Sequence, residues 1–192
     1  ATQFHIDLFN KSFKSLWINE AQEKIYRVGW PMEYMPDVLK QYDIPTNKMD
    51  MVIFPHRVAP EKQVDIFKDL EKSMPDIEFL VAQEKQLTKD EYHMALCKSK
   101  VVFSANQQET LGISCYEGAL VGAAPMVPDR LSYSEMYNNG YKYPSEWTQD
   151  FQSYTYYRPQ LVEFIQERLN NADAYLSLLQ DQRDILIRDY LN

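Results

Sequence analysis

Residues 101–127 read VVFSANQQETLGISCYEGALVGAAPMV, and the order of features in this stretch decides the fold. A short apolar run at 101–104 is followed by a polar loop. Gly112 then opens a helix, and Gly122 leads into a second apolar run at 124–127. Two short strands with a helix between them form the βαβ unit, since parallel neighbours need a crossover that returns the chain to the same end of the sheet. The same rhythm extends upstream. MVIF at 51–54 predicts a strand, 61–73 a helix, IEFLV at 77–81 a strand and 89–98 a helix. Downstream, a short helix is expected near 133–137. Regular alternation of this kind predicts an α/β protein with a Rossmann-like, doubly wound parallel sheet.

The flanks carry helical patterns. Ile6, Phe9, Phe13 and Leu16/Trp17 recur at helical spacing, which predicts an amphipathic helix over 5–18. A strand is expected at 26–28, a Gly-Trp-Pro turn at 29–31, a short helix near 35–41 and a break at Pro45. Toward the other end Pro159 suits a helix start, with Leu161, Phe164, Ile165 and Leu169 on one stripe. A second helix is expected over 172–190. The domain reading is therefore a leading segment at 1–22, a Rossmann-like domain at 23–158 and a C-terminal helical extension at 159–192.

Composition narrows the function. Hydrophobic residues at 45% and charged residues at 25% are those of an ordinary globular protein, and only 5 glycines argue against a turn-rich all-β scaffold. A formal charge of −8 without a dense Lys/Arg block argues against autonomous nucleic-acid binding, because neutralised phosphates supply most of that affinity. Cys97 and Cys115 are too few for a disulfide framework and lack metal-ligand spacing, so a reducing, cytoplasmic setting is expected. No apolar stretch approaches the roughly 18 residues of a membrane span.

Ligands of open parallel sheets bind beyond the carboxyl ends of the strands, so the loops there hold the candidate chemistry. After the first strand, Arg57 and Lys62 flank a loop that leads into a helix, where backbone amides already favour anions. A diphosphate suits such a site, with Arg binding bidentately and Lys as a point charge, although solvated surface cations share the same pattern. After the third strand, Glu109 lies in the loop and Glu117 two turns along the helix, with Gly112 between them allowing close backbone approach. Carboxylates accept well from vicinal hydroxyls, which suits Glu109 to a sugar and Glu117 to a ribose.

Taken together, the two segments resemble the retaining glycosyltransferases of the two-domain GT-B type, especially glycosyltransferase family 4. Arg57 and Lys62 match that family's Arg-x4-Lys segment. Glu109, Leu111, Gly112, Ile113, Glu117 and Gly118 match its Glu-x7-Glu segment, and 122–127 resembles its G-x-P-V strand entry. The likeness covers about 50–140. It implies the donor-binding, C-terminal half of a GT-B fold, moving a hexosyl or pentosyl group from a nucleotide diphosphate sugar. Arg57 and Lys62 would hold the donor diphosphate with the amides at Leu111, Gly112 and Ile113. Glu109 would contact the transferred sugar and Glu117 the ribose. The resemblance implies neither cofactor nor metal, because fixed cations stabilise the leaving diphosphate.

FPHR at 54–57 and PDRLSYSEMY at 128–137 resemble the queuosine-tRNA mannosyltransferase-like branch, and phage sugar-transferring enzymes look similar. That likeness implies a nucleic-acid base as acceptor and places Glu135 near the donor site. Val81-Ala82-Gln83-Glu84 departs from the family's Gly-rich turn, which leaves the donor base open. A GT-B enzyme has two such domains and this chain starts at Ala1, so a missing N-terminal domain is expected as a partner. The chain alone should then be nearly inactive, with 1–22 as the interdomain link and the last helix crossing back. Two other functions fit the same residues: a GT-B-type nucleotide-sugar epimerase, and a non-catalytic nucleotide-binding module. A nicotinamide dehydrogenase does not fit, for no G-x-G-x-x-G follows a predicted strand. His56 reads as a structural histidine beside the anion loop, His93 as a surface residue and Cys115 as a small buried hydrophobe.

Overall fold

Each central apolar run forms a strand: β1 (Met49–Phe54), β2 (Glu78–Val81), β3 (Ser99–Phe103) and β4 (Ala124–Pro128). The computed structural model, which describes residues 2–16, 25–27, 31–171 and 176–190, adds a two-residue β5 (Lys142–Tyr143) on the far edge. All pairings are parallel and the strand order is β2-β1-β3-β4-β5. Ile53 aligns with Leu80 on one side and Val102 on the other, and Phe103 aligns with Met126.

The central strands are apolar on successive residues because both faces of the sheet are covered. Ile53, Val102 and Val127 point into one core with α2 (Met35–Leu39), α4 (Lys89–Lys98), α5 (Ile113–Leu120) and α8 (Leu176–Tyr190). Val52, Phe54, Val101, Phe103 and Met126 point into the other, against α3 (Val64–Ser73) and α7 (Phe151–Asn170). Helix α4 begins with a complete capping box, in which Thr88 and Glu91 satisfy each other's backbone amides. Helices α3 and α5 thus leave β1 and β3 toward opposite faces. The loops after these two strands diverge and leave a crevice between them, the topological switch point where ligands of such sheets bind.

Two expectations need correction. Residues 25–27 form no strand, and the remainder of that stretch, with the Gly29-Trp30 part of the turn, lies outside the described residues. Pro159 does not start a helix; it sits within α7, which begins at Phe151 where Asp150 accepts from the Ser153 amide at 2.7 Å. The ring is tolerated on the exposed side, where water reaches the carbonyl that loses its partner. The N-terminal helix, α1 (Gln3–Ser15), forms as expected, but none of its residues is buried and Leu8 and Phe9 face solvent. Trp17 and Ile18 lie outside the described residues.

Candidate functional site

The loop after β1 turns through a 3-10 segment, Pro60–Lys62, into α3. Its hinge is Gln63, left-handed at φ 53°, whose side-chain amide donates to the carbonyls of Ala105 at 2.6 Å and Thr148 at 2.8 Å. This anchor turns Lys62 inward. Although a lysine, Lys62 is only 8% exposed, and its Nζ donates to the Gln108 carbonyl at 2.7 Å and to Glu109 Oε2 at 3.0 Å. Arg57 takes the opposite course, its exposed guanidinium pairing with Glu61 at the rim.

On the other side of the crevice, Asn106 Nδ2 donates to Glu109 Oε2 at 2.9 Å and to the Tyr133 hydroxyl at 3.0 Å, while Ser104 Oγ lies 3.2 Å from that hydroxyl. Burial alone would raise the Glu109 carboxyl, but the hydrogen bond and charge of Lys62, with the Thr110 amide, outweigh it. Glu109 is therefore held below the usual glutamate range and is ionised. Gly112 (φ 76°) starts α5 with no side-chain cap, leaving the first-turn amides of that helix without a capping side chain. Leu111 is buried beside it, and Ile113 is half-buried.

His56 is buried between Asn106 Nδ2, 3.5 Å from its Nδ1, and Cys115 Sγ, 3.9 Å from its Nε2. Burial and then the Lys62 charge push its imidazole well below the usual histidine range, so it is neutral at physiological pH. Burial likewise pushes the Cys115 thiol far up, which removes it as a nucleophile.

Glu117 is carried by α5 on the side of the crevice nearer β2. It is 9% exposed, accepts from the Tyr92 hydroxyl at 3.1 Å and lies 3.6 Å from His93 Nε2. Burial raises its carboxyl, more than His93 and Tyr92 lower it. His93 is thus a buried residue, not a surface one: it faces Glu117 with one nitrogen and the Tyr42 hydroxyl, at 3.1 Å, with the other. A cleft of about 400 Å³ opens beside this group, walled by His56, Arg57, Ala82, Gln83, Leu87 and Tyr92. Gln83 ties its two walls together by accepting from the Val58 amide.

The structure therefore brings Lys62 and Glu109 into contact, sets Gly112 and the start of α5 beside them, and places Glu117 behind the cleft that Arg57 borders. The sequence reading missed Arg130. From the loop after β4 its guanidinium donates to the carbonyls of Asn106 and Ala105, both at 2.7 Å, of Ser145 at 2.9 Å and of Thr148 at 3.2 Å. It clamps the loop that carries Glu109 from behind. An arginine just past the end of a strand was the only available signal, since its acceptors are backbone atoms. Glu135 binds the start of α1, its two oxygens accepting from the Gln3 and Phe4 amides at 3.0 and 3.2 Å, and His5 next to them feels the charges of both Glu135 and Glu109.

Among the described residues, no group of His, Cys, Asp and Glu is disposed to hold a metal ion, and no helix is long and apolar enough to cross a membrane. No family model matches the sequence, and no curated protein matches it. Among solved structures, a mutant of TarM from S. aureus, in complex with fondaparinux, alpha-GlcNAc-glycerol and UDP, is similar in fold. The TM-score is 0.54 at 16% identity, over 84% of this chain and 40% of that one. The chain thus spans two-fifths of that protein's length, and what the two share is the α/β, Rossmann-like architecture with its C-terminal helix.

Proposed function

We propose that the chain is the donor-binding domain of a retaining glycosyltransferase that takes its sugar from a nucleotide diphosphate sugar. One observation carries this reading: a nearly buried lysine and an ionised glutamate meet at the switch point, beside uncapped helix amides. Fixed positive charge with free amides suits a diphosphate, and the adjoining carboxylate suits sugar hydroxyls. Glu109 pairs with Lys62, and Glu61 pairs with Arg57. Donor phosphates would replace these carboxylates on both cations, assisted by the amides at Leu111, Gly112 and Ile113. Glu109, released, would turn to the transferred sugar. Glu117 would take the ribose, with the base in the cleft walled by Ala82, Gln83 and Leu87. The cations, not a metal, would neutralise the leaving diphosphate.

The fold shared with TarM, whose structure holds UDP, supports the donor class. The acceptor would be bound by a second domain, and the 54–57 and 128–137 segments favour a nucleic-acid base. Both cysteines are free and buried, which suits the reducing environment of the cytoplasm.

Calorimetric titration with UDP, GDP, CDP and ADP tests the reading on wild type, Arg57→Ala and Glu117→Ala. One or two diphosphates should bind, with affinity falling about tenfold or more in each variant, as for a lost charge-assisted hydrogen bond. Equal binding by all three proteins would exclude the assignment.

A further inference from the structure

The amino-terminal end of the sheet, opposite the crevice, holds a second cavity of about 470 Å³. Lys48 and Lys100 border it from the starts of β1 and β3, Arg168 from α7 and Arg183 from α8. Not one Asp or Glu lies among the described residues that line it, on a chain whose net charge is −8.

Two of these cations are without a counter-charge among the described residues. Lys48 Nζ is partly buried and donates to the Cys97 carbonyl, a neutral acceptor. Arg183 Nε is buried and has no hydrogen-bond partner among the described residues. Lys100 differs, being held by Asp50 and by the Leu169 carbonyl at 3.2 Å, and Arg168 is engaged by Glu167 and the Gly140 carbonyl. Buried donors in native proteins are nearly always paired, and a buried charge without a partner is costly. Burial, and to a lesser extent the Arg183 charge, already hold the Lys48 ammonium down at about 8. An anion between the two cations would offset that cost.

We propose that this cavity is an anion site, separate from the crevice, for a small organic phosphate whose phosphoryl group sits between Lys48 and Arg183. The volume falls in the range of small-molecule pockets. Ile44, Pro45, Leu179 and the Tyr141 ring supply an apolar wall for the body of the ligand, and Asn47 and Thr46 supply neutral polar groups. The inference does not depend on the donor reading, for none of these residues borders the crevice.

The test uses glucose 1-phosphate and inorganic phosphate as probes, titrated by NMR into wild type, Lys48→Met, Arg183→Gln and Lys62→Met. Both probes should bind wild type, the ester more tightly because it also covers the apolar wall. Lys48→Met and Arg183→Gln should each weaken binding about tenfold or more, the loss of one charge-assisted contact. Lys62→Met removes the crevice cation, and the binding that Lys48→Met and Arg183→Gln weaken should persist in it. Lys48→Met should also melt at or above the wild-type temperature without ligand, since it removes a partly buried charge that lacks a counter-charge among the described residues. Equal affinity for the two probes would leave inorganic phosphate as the ligand and overturn the organic class. Loss of binding in Lys62→Met alone, or no binding by wild type at concentrations on the order of 10 mM, would overturn the site itself.

Discussion

Lys62 Nζ lies 3.0 Å from Glu109 Oε2, joining the loop after β1 to the loop after β3 across the switch point of the sheet. Removing the cation leaves an ionised carboxylate nearly buried with Asn106 and the Thr110 amide to hold it. Lys62→Met should therefore cost about 3 kcal/mol in urea unfolding. The double variant Lys62→Met/Glu109→Gln should recover most of that loss but not nucleotide binding. On the donor reading, Glu109→Gln alone should bind UDP at least as tightly as wild type, because the carboxylate that would compete with the diphosphate is gone. A tenfold weaker Kd for UDP in Glu109→Gln would show that Glu109 is no placeholder.

Glu117 gives a pH signature of opposite sign to that of Glu109. Its folded-state pKa is raised, chiefly by burial. The stability it contributes is therefore complete below the ordinary glutamate value and is lost as pH rises through the folded value. Glu117→Gln keeps an acceptor for Tyr92 and removes the buried charge. At pH 7.5 the variant should melt above wild type, and the gap should close as pH falls below 4.5, the ordinary value. Glu109, whose carboxyl is held low, loses its contribution as pH falls through its own folded value. Its Gln variant should match wild type most closely in acid and fall behind as the carboxylate ionises. Thermal melts from pH 3 to 8 separate the two glutamates. A Glu117→Gln protein less stable than wild type at pH 7.5 would mean the charge is satisfied in the native state.

Arg130 is predicted to act at a distance. It bonds four backbone carbonyls with one planar fork, a geometry that a lysine cannot copy. Arg130→Lys should lose about 2–3 kcal/mol, since some carbonyls are left without a donor. It should also weaken UDP binding, although Arg130 borders neither the cleft nor Glu109's side chain. Titration below the unfolding transition tests the coupling, and unchanged affinity in a destabilised variant would confine Arg130 to a structural role.

The parts of the fold that were legible are those where local pattern and burial agree. Strands β1 to β4 are continuous apolar runs because both faces are covered, and Thr88-x-x-Glu91 announces α4. The start of α7 was equally legible at Asp150-x-x-Ser153, yet Pro159 drew the boundary eight residues too far on, from its preference for a first turn. β5 was not legible, since two residues carry no periodicity and exist as strand only through pairing with Val127 and Pro128. At the crevice, loop position picked out Lys62, Glu109 and Gly112, which the fold brings together. His93 was misread because its partners, Tyr42 and Glu117, come from elsewhere in the chain. The charged and polar residues around it mimic an exposed face.

Gly112 offers the sharpest test of how the crevice is built. Its φ of 76° suits glycine, and a Cβ added there would stand 2.5 Å from Cε1 of Tyr133. Both obstacles act together in Gly112→Ala. The left-handed conformation costs a side chain about 1 kcal/mol, and the ring must move or the start of α5 must shift. Tyr133 has little freedom, being fully buried with its hydroxyl tied to Ser104 and Asn106. The clash should therefore pass along the chain Tyr133–Asn106–Glu109 to the Lys62 pair. Gly112→Ala is expected to lose about 3 kcal/mol in all, and its UDP affinity should fall tenfold or more. Gly122→Ala is the matched control: its φ of 81° is equally left-handed, but the added Cβ meets only the flexible end of Lys48 at 3.4 Å. It should lose about 1 kcal/mol and bind UDP normally. If the two variants proved equally stable and equally able to bind, contact with Tyr133 would not be what holds the crevice in shape.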